Sequence, residues 1–295
     1  MNTVFFITQW SLGDGIGSSA AIEYFKSMGY RTVCFFNASW IPLFQNSPKI
    51  DEIHPYDKVE RVIRGQYSSG NIISFCSYRW SEKLEPKLVD INPKYVCPKY
   101  KINGESAVAN DEYKAIREAR KSGKNMSLIQ KILWRLGLDI NCDYKPCICF
   151  ESLSNLDYKP IVIHTGSAHE VRRINTQLVK EIADNLGDNV VIICNNQFVD
   201  ELKQNGINAI HSDVLEMASY MKEAKVVITP DSGPMHIRRC FEKPMIGLDT
   251  IFESTGIGIL DYISLYDGLE ILRGQDINCS RILESVEKLT APITV

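Results

Sequence analysis

The sequence predicts an α/β protein made of two Rossmann-like halves in tandem, and three observations point there. Short apolar runs rich in β-branched and aromatic residues alternate with amphipathic stretches, the pattern of parallel strands joined by crossover helices. The pattern begins afresh near residue 150, after Tyr144-Lys-Pro146. A chain of 295 residues that is 44% hydrophobic carries enough apolar side chains for two cores of ordinary size.

The first half opens on the apolar run Val4 to Ile7, a glycine-rich turn at 11–17 and a helix from Ser18 to Met28 capped by Gly29. Arg31 to Phe36 is a second strand. Strand, helix and strand within some thirty residues form a βαβ unit, which requires a parallel sheet covered on both faces. A short unit from Trp40 to Gln45, a strand at 50–53, a helix near 58–64 and a strand at 71–75 follow. Residues 77–125 are rich in Lys, Pro and Tyr and read as loops plus a charged helix over 111–121; apolar spacing predicts a helix over 126–138.

The second half predicts strands at 160–166, 189–194, 208–211, 225–229 and 244–248. Helices are expected at 175–186, 197–205, 214–224 and 233–241. The domains are therefore expected at 1–150 and 151–295. A last helix over 281–289 is free to pack back on the first domain.

Composition narrows the function classes. With 33 basic and 36 acidic residues the formal charge is −3, so no general nucleic-acid-coating surface is expected, although a local basic cleft is compatible with that balance. The nine cysteines are scattered, several inside apolar runs, and read as reduced thiols. Cys142, Cys147 and Cys149 lack the paired spacing and the nearby histidine of a zinc site. The N-terminus does not read as a signal peptide, and no apolar run approaches the roughly 18 residues of a membrane span. The expectation is a cytoplasmic protein, with contact at the inner face of the membrane left open.

Three segments carry chemistry. In Ser11-Leu-Gly13-Asp14-Gly15-Ile-Gly17, Gly13 and Gly15 let the backbone approach a ligand at a strand's C-terminal end, and Asp14 puts a carboxylate there. As a dinucleotide fingerprint it fails, because Ser18 stands at the third glycine position and no acidic residue ends the second strand. Asp14 can equally be a turn or cap residue. In Thr229-Pro230-Asp231-Ser232-Gly233-Pro234-Met235-His236 a strand passes into a helix whose first N–H groups suit a diphosphate. In Thr165-Gly166-Ser167, followed by Arg172 and Arg173, the two arginines can clamp phosphate oxygens or simply start a solvated helix. His164 ends a buried strand as a structural histidine, and His236 can pack inside its helix.

The order of these pieces resembles glycosyltransferase family nine, the heptosyltransferase family of lipopolysaccharide core assembly. The resemblance covers most of the chain. It rests on Ser11 to Gly15, Ser47 to Ile53, Val162 to Ser167, Arg172 to Ile174, Asp213 to Ala224 and, most specifically, Val226 to His236 closed by Lys243-Pro244. It implies a GT-B fold, two Rossmann-like domains facing across a cleft. By matching position it implies that Asp14 is the general base for the acceptor hydroxyl. It also implies that Arg172 stands where a phosphate-binding lysine is usual, and that 231–236 hold the donor's diphosphate and sugar. Departures are arginine for lysine at 172, Ile174-Asn175 for Trp-Pro, and Arg238-Arg239 where small residues are common.

With no Asp-x-Asp pair in the sequence, a metal-dependent grip on a nucleotide-sugar has no obvious ligands. The expected activity is inverting, metal-independent transfer of a sugar, such as a heptose, from a nucleotide-diphosphate sugar to a glycan acceptor such as lipopolysaccharide core. No cofactor is expected. The same fold can glycosylate a capsule, a protein or a modified nucleic-acid base, epimerise a sugar nucleotide, or bind one without turning it over.

Overall fold

The computed structural model describes residues 3–8, 11–66, 71–74, 101–102, 105–106, 145–153, 159–166, 170–251, 259 and 266–291. Backbone contacts divide the chain into two compact units, Met1–Phe150 and Glu151–Val295. Each is built on its own parallel sheet.

In the first unit β1 (Thr3–Ile7) leads into α1 (Leu12–Ser27) and back to β2 (Arg31–Phe36). β3 (Glu52–Pro55), α2 (Val59–Gln66) and β4 (Asn71–Ser74) follow, and the order across the sheet is β3-β2-β1-β4, all parallel. β1 is buried along its whole length because helices cover both faces, which is why it reads as an unbroken apolar run. Phe5, Ile7, Val33 and Phe35 pack on Val59, Val62 and Ile63 of α2. On the other face, the rings of Phe36 and Phe44 stack with centroids 4.2 Å apart. Gly29, at φ +77°, ends α1 in the left-handed conformation that glycine tolerates best.

One sequence expectation changes here. Residues 12–17 are not a turn before a helix from Ser18; they are the first turns of α1 itself. Between β2 and β3 lies a 3-10 helix, Ala38–Leu43, capped by the Asn37 side chain. A short antiparallel pair, β5 (Lys101–Ile102) and β6 (Glu105–Ser106), is described; the helices expected over 111–121 and 126–138 lie outside the described residues. At the unit's end, the Cys147 N–H donates to Ser19 Oγ at 2.9 Å and the Cys149 N–H to the Leu43 carbonyl at 2.7 Å, fastening 147–149 to this unit.

The second unit runs β7 (Ile161–His164), α3 (Thr176–Leu186), β8 (Val190–Ile193), α4 (Asn196–Gln204), β9 (Ala209–Ile210), α5 (Val214–Glu223) and β10 (Val226–Pro230). α6 (Gly233–Arg239), β11 (Met245–Asp249), β12 (Leu269–Arg273) and α7 (Cys279–Thr290) complete it. The strand order is β12-β11-β10-β7-β8-β9, all parallel. Asn175 caps α3, Asp213 caps α5 and Asn278 caps α7, each accepting from backbone N–H groups of the first turn. The sequence leaves α7 free to pack on the first half; its buried residues Ile282 and Val286 lie in the core of the second unit, with Val179, Ile182 and Ile246. No helix among the described residues is long and apolar enough to cross a membrane.

Candidate functional site

An open parallel sheet offers a ligand crevice where the strand order reverses, beyond the C-terminal ends of the two strands that begin the opposed halves. In the second unit those strands are β7 and β10. Their C-terminal ends carry the second and third segments singled out in the sequence.

β7 ends in His164, Thr165 and Gly166. The Thr165 N–H donates to the Ile193 carbonyl at 3.0 Å, extending the ladder past the strand. A Cβ on Gly166 would stand 3.3 Å from Asn195, so glycine lets the chain ends after β7 and β8 come close. Ser167 lies outside the described residues. The chain then forms a short 3-10 turn, Glu170–Arg172, before α3.

β10 ends in Thr229 and Pro230, and Asp231 is buried just past it. Arg172 reaches Asp231: Nη1 stands 2.9 Å from Oδ2, with the guanidinium side chain 19% exposed and the carboxylate 6%. The pair places a cation at the reversal point with its charge matched by a buried carboxylate. Ser232, half-buried, precedes α6 with no side-chain capping bond, and its carbonyl accepts the Met235 N–H at 3.1 Å. Gly233 is half-buried, whereas Pro234, Met235 and His236 are buried. Ser232 and Gly233 are thus the more accessible part of the turn, with Asp231 buried before them and Met235 buried after. Burial also lowers the His236 imidazole to a pKa of about 4.

The two consecutive arginines do not act as a pair. Arg173 turns away from Asp231 and lays its guanidinium on the Phe198 ring of α4, 3.4 Å from the centroid. Arg238, one of the two arginines standing where small residues are common in the family the sequence resembles, is fully buried. Its guanidinium donates to the carbonyls of Met221, Ala224, Lys225 and Pro244, clamping α6 to the end of α5 and the approach to β11. Arg239 lies on the Tyr266 ring at 4.7 Å and pairs with Glu242. Asp249, at the end of β11, is locked by Arg273 Nε at 3.0 Å and the Ile259 N–H at 3.2 Å.

In the first unit the reversal falls between β1 and β4. The backbone of Asp14 lies in the first turn of α1, just after β1, with buried Gly13 and Gly15 on either side. Gly15 has a packing reason: a Cβ there would meet the Trp40 indole at 3.2–3.3 Å. Trp40 escapes a reading by motif, because only the fold brings the 3-10 helix after β2 against the start of α1. The contacts of Thr229, buried at the end of β10, are missed for a similar reason; a lone threonine in an apolar strand reads as sheet propensity. Among the described residues no group of three His, Cys, Asp or Glu side chains could hold a metal ion.

Residues 209–257 match the model of glycosyltransferase family 9 (heptosyltransferase), a segment that spans α5, β10, the 231–236 turn and β11. No curated protein sequence matches the chain. Among solved structures, the fold is similar to a family 9 glycosyl transferase from Veillonella parvula at TM-score 0.72 and 13% identity, covering 98% of this chain and 97% of that one. It is similar to the ADP-heptose LPS heptosyltransferase II of E. coli at TM-score 0.67 and 15% identity, covering 98% of each. The E. coli heptosyltransferase WaaC, solved with ADP, follows at 0.64 and 12%, covering 97% of this chain and 99% of that one. The fold is therefore of the GT-B class, and the likeness to family nine holds in sequence over 209–257 and in fold over nearly the whole chain.

Proposed function

We propose that this chain is an inverting glycosyltransferase that needs no metal. It would move a sugar, with a heptose as first candidate, from a nucleoside-diphosphate donor to a glycan acceptor such as lipopolysaccharide core. The observation that carries the reading is the Arg172–Asp231 ion pair at the β7/β10 reversal, with Asp231 inside the segment that matches the family model. The neighbours described with ADP or as ADP-heptose enzymes make a nucleoside diphosphate the first ligand to try.

In this mechanism the acceptor oxygen attacks the anomeric carbon from the face opposite the diphosphate. The new glycosidic bond forms as the bond to the β-phosphate oxygen breaks, and the leaving nucleoside diphosphate takes the electron pair. The acceptor proton passes to the Asp14 carboxylate. Charge growing on the diphosphate is met by the Arg172 guanidinium and the polar groups of the 231–233 turn, donors already in place when the charge develops. Asp231 holds Arg172 ready before the donor binds. We place the protein in the cytoplasm, working at the inner membrane face when its acceptor is lipid-linked.

A thermal-shift screen with ADP, UDP, GDP and CMP and their sugars, with magnesium and with EDTA, tests the donor. A bound ligand raises the melting temperature according to its occupancy. Stabilisation by one nucleoside diphosphate in EDTA supports the reading; stabilisation only with a metal removes metal independence, and none with any nucleotide removes the donor site. The anomeric configuration of the product, read by NMR, decides inversion.

A further inference from the structure

A row of three polar side chains runs from the interior of the second unit to the 231–233 turn. His164 ends β7 at 3% exposure, Thr229 is fully buried near the end of β10, and Ser232 is half-buried at the turn. His164 Nδ1 stands 3.5 Å from Thr229 Oγ1, and Thr229 Oγ1 stands 3.1 Å from Ser232 Oγ. The register explains the first contact: Ile163 pairs with Ile228, so the next residue on each strand meets its neighbour across the ladder. An imidazole and a hydroxyl buried in an otherwise apolar sheet cost desolvation that valine and leucine would avoid.

The row has two states, set by the imidazole. Burial lowers the His164 pKa to about 4, so near neutrality the ring is uncharged and carries one N–H. With the proton on Nε2, Nδ1 accepts from Thr229, Thr229 accepts from Ser232, and Ser232 shows only lone pairs to the crevice. With the proton on Nδ1, His164 donates to Thr229, Thr229 donates to Ser232, and the Ser232 O–H is free to point outward. The Pro230 carbonyl, also 3.1 Å from Thr229 Oγ1, competes for the threonine proton. An anion beyond Ser232 favours the outward direction, since each donor along the row then points at the negative charge.

We propose that His164 is a positioning residue that carries its proton on Nδ1 and, through Thr229, turns Ser232 into a hydrogen-bond donor for an oxygen of the donor's diphosphate. No proton is transferred; only the direction of the row is set. The inference rests on the donor-site reading above and goes beyond it by giving Ser232 a polarity and His164 a part in ligand binding.

The test has two readouts. Nitrogen-15 NMR of histidine-labelled protein with ADP, UDP, GDP or CDP, whichever binds, reads the His164 tautomer directly and needs no variant. Nδ1–H in the complex is expected; Nε2–H overturns the proposal. The dissociation constant of the same nucleotide is then measured for folded variants. Ser232→Ala, Thr229→Val and His164→Leu should each bind about 10-fold more weakly, and Thr229→Val/Ser232→Ala no more weakly than Ser232→Ala alone. His164→Asn, whose amide N–H falls near the Nδ1 position, should bind like the parent. A 10-fold loss in Ser232→Ala with Thr229→Val unchanged means the serine acts alone and overturns the row, as does an unchanged Ser232→Ala. If the unaltered protein binds none of the four nucleotides, the donor-site reading fails and this one with it; binding that the variants leave untouched removes only the row.

Discussion

The two strand-to-helix junctions of this molecule use opposite means. After β1 the chain enters α1 through Gly13, Asp14 and Gly15, with small residues that let the Trp40 indole pack against the first turn. After β10 it enters α6 through a turn held by charge and hydroxyl contacts: Arg172 on Asp231 and Thr229 on Ser232. The first junction is shaped by close backbone packing, and the second presents polar groups held by one another. On the proposed mechanism the first carries the chemistry and the second carries the binding.

The sharpest break of that contrast is a pair of variants. Asp14→Asn should cut turnover about 10²- to 10⁴-fold while the donor still binds. Arg172→Ala should instead weaken nucleoside-diphosphate binding about 10- to 100-fold, through loss of a charge-assisted contact. Kinetics and calorimetry on the two proteins decide it; interchanged effects would reverse the assignment of the junctions.

Stability offers a second contrast. Arg238→Met strips donors from four carbonyls, those of Met221 and Ala224 buried and those of Lys225 and Pro244 part-buried, and should destabilise the second unit by about 3 kcal/mol, leaving the first unit unchanged. Hydrogen exchange followed sheet by sheet reads this, and equal loss of protection in both sheets would contradict it.

Acid should separate the units next. His164 and His236 have pKa values lowered by burial from 6.5 to about 4. Between those values the unfolded chain binds protons that the native state refuses, so stability falls as pH drops from about 6.5 and levels off below about 4. In the first unit burial tends to raise the Asp51 pKa, but hydrogen bonds from Lys26 and Thr32 hold it below 3.8. Its contribution is present above that value and is lost only as the pH falls further. The second unit should therefore lose exchange protection first on acidification, and the reverse order would count against buried neutral histidines.

The smallest effect belongs to Gly15→Ala. Alanine favours the helix by up to about 1 kcal/mol, but its Cβ would press on Trp40. The melting temperature should barely move, and Trp40→Leu in the same chain should turn the change into a gain.

These contrasts show where the sequence was legible. In the second unit apolar runs and cap residues mark the elements well: Asn175, Asp213 and Asn278 stand where helices begin, and β10 coincides with its apolar run. β12 escapes notice because it is an edge strand, mostly half-buried, whose Leu-Glu-Ile-Leu-Arg pattern carries little periodicity. The glycines of 13–17 read as a turn because their helix propensity is poor; the packing of Ile16, Ala20 and Trp40 overrides propensity there. Of the candidate site, Asp231 was visible as an acid at a strand end and Arg172 as a base in the segment after another strand, and β7 and β10 being neighbours brings them within reach. The contacts of Arg173 and Arg238 were illegible for one reason: a charge in a sequence shows neither the ring it lies on nor the carbonyls that converge on it.

Those carbonyls have a further consequence. Arg238 joins the end of α5, the start of β10 and the approach to β11, so the C-terminal end of α6, away from the 231–233 turn, is tied to three chain segments at once. The helix that leaves the turn is therefore anchored at its far end, and the entropy of ordering that anchor was spent when the protein folded. On the proposed mechanism any adjustment to a particular sugar falls at the opposite end of that helix, on Arg172 and the 231–233 turn, which makes that end the place to alter when a different donor is wanted.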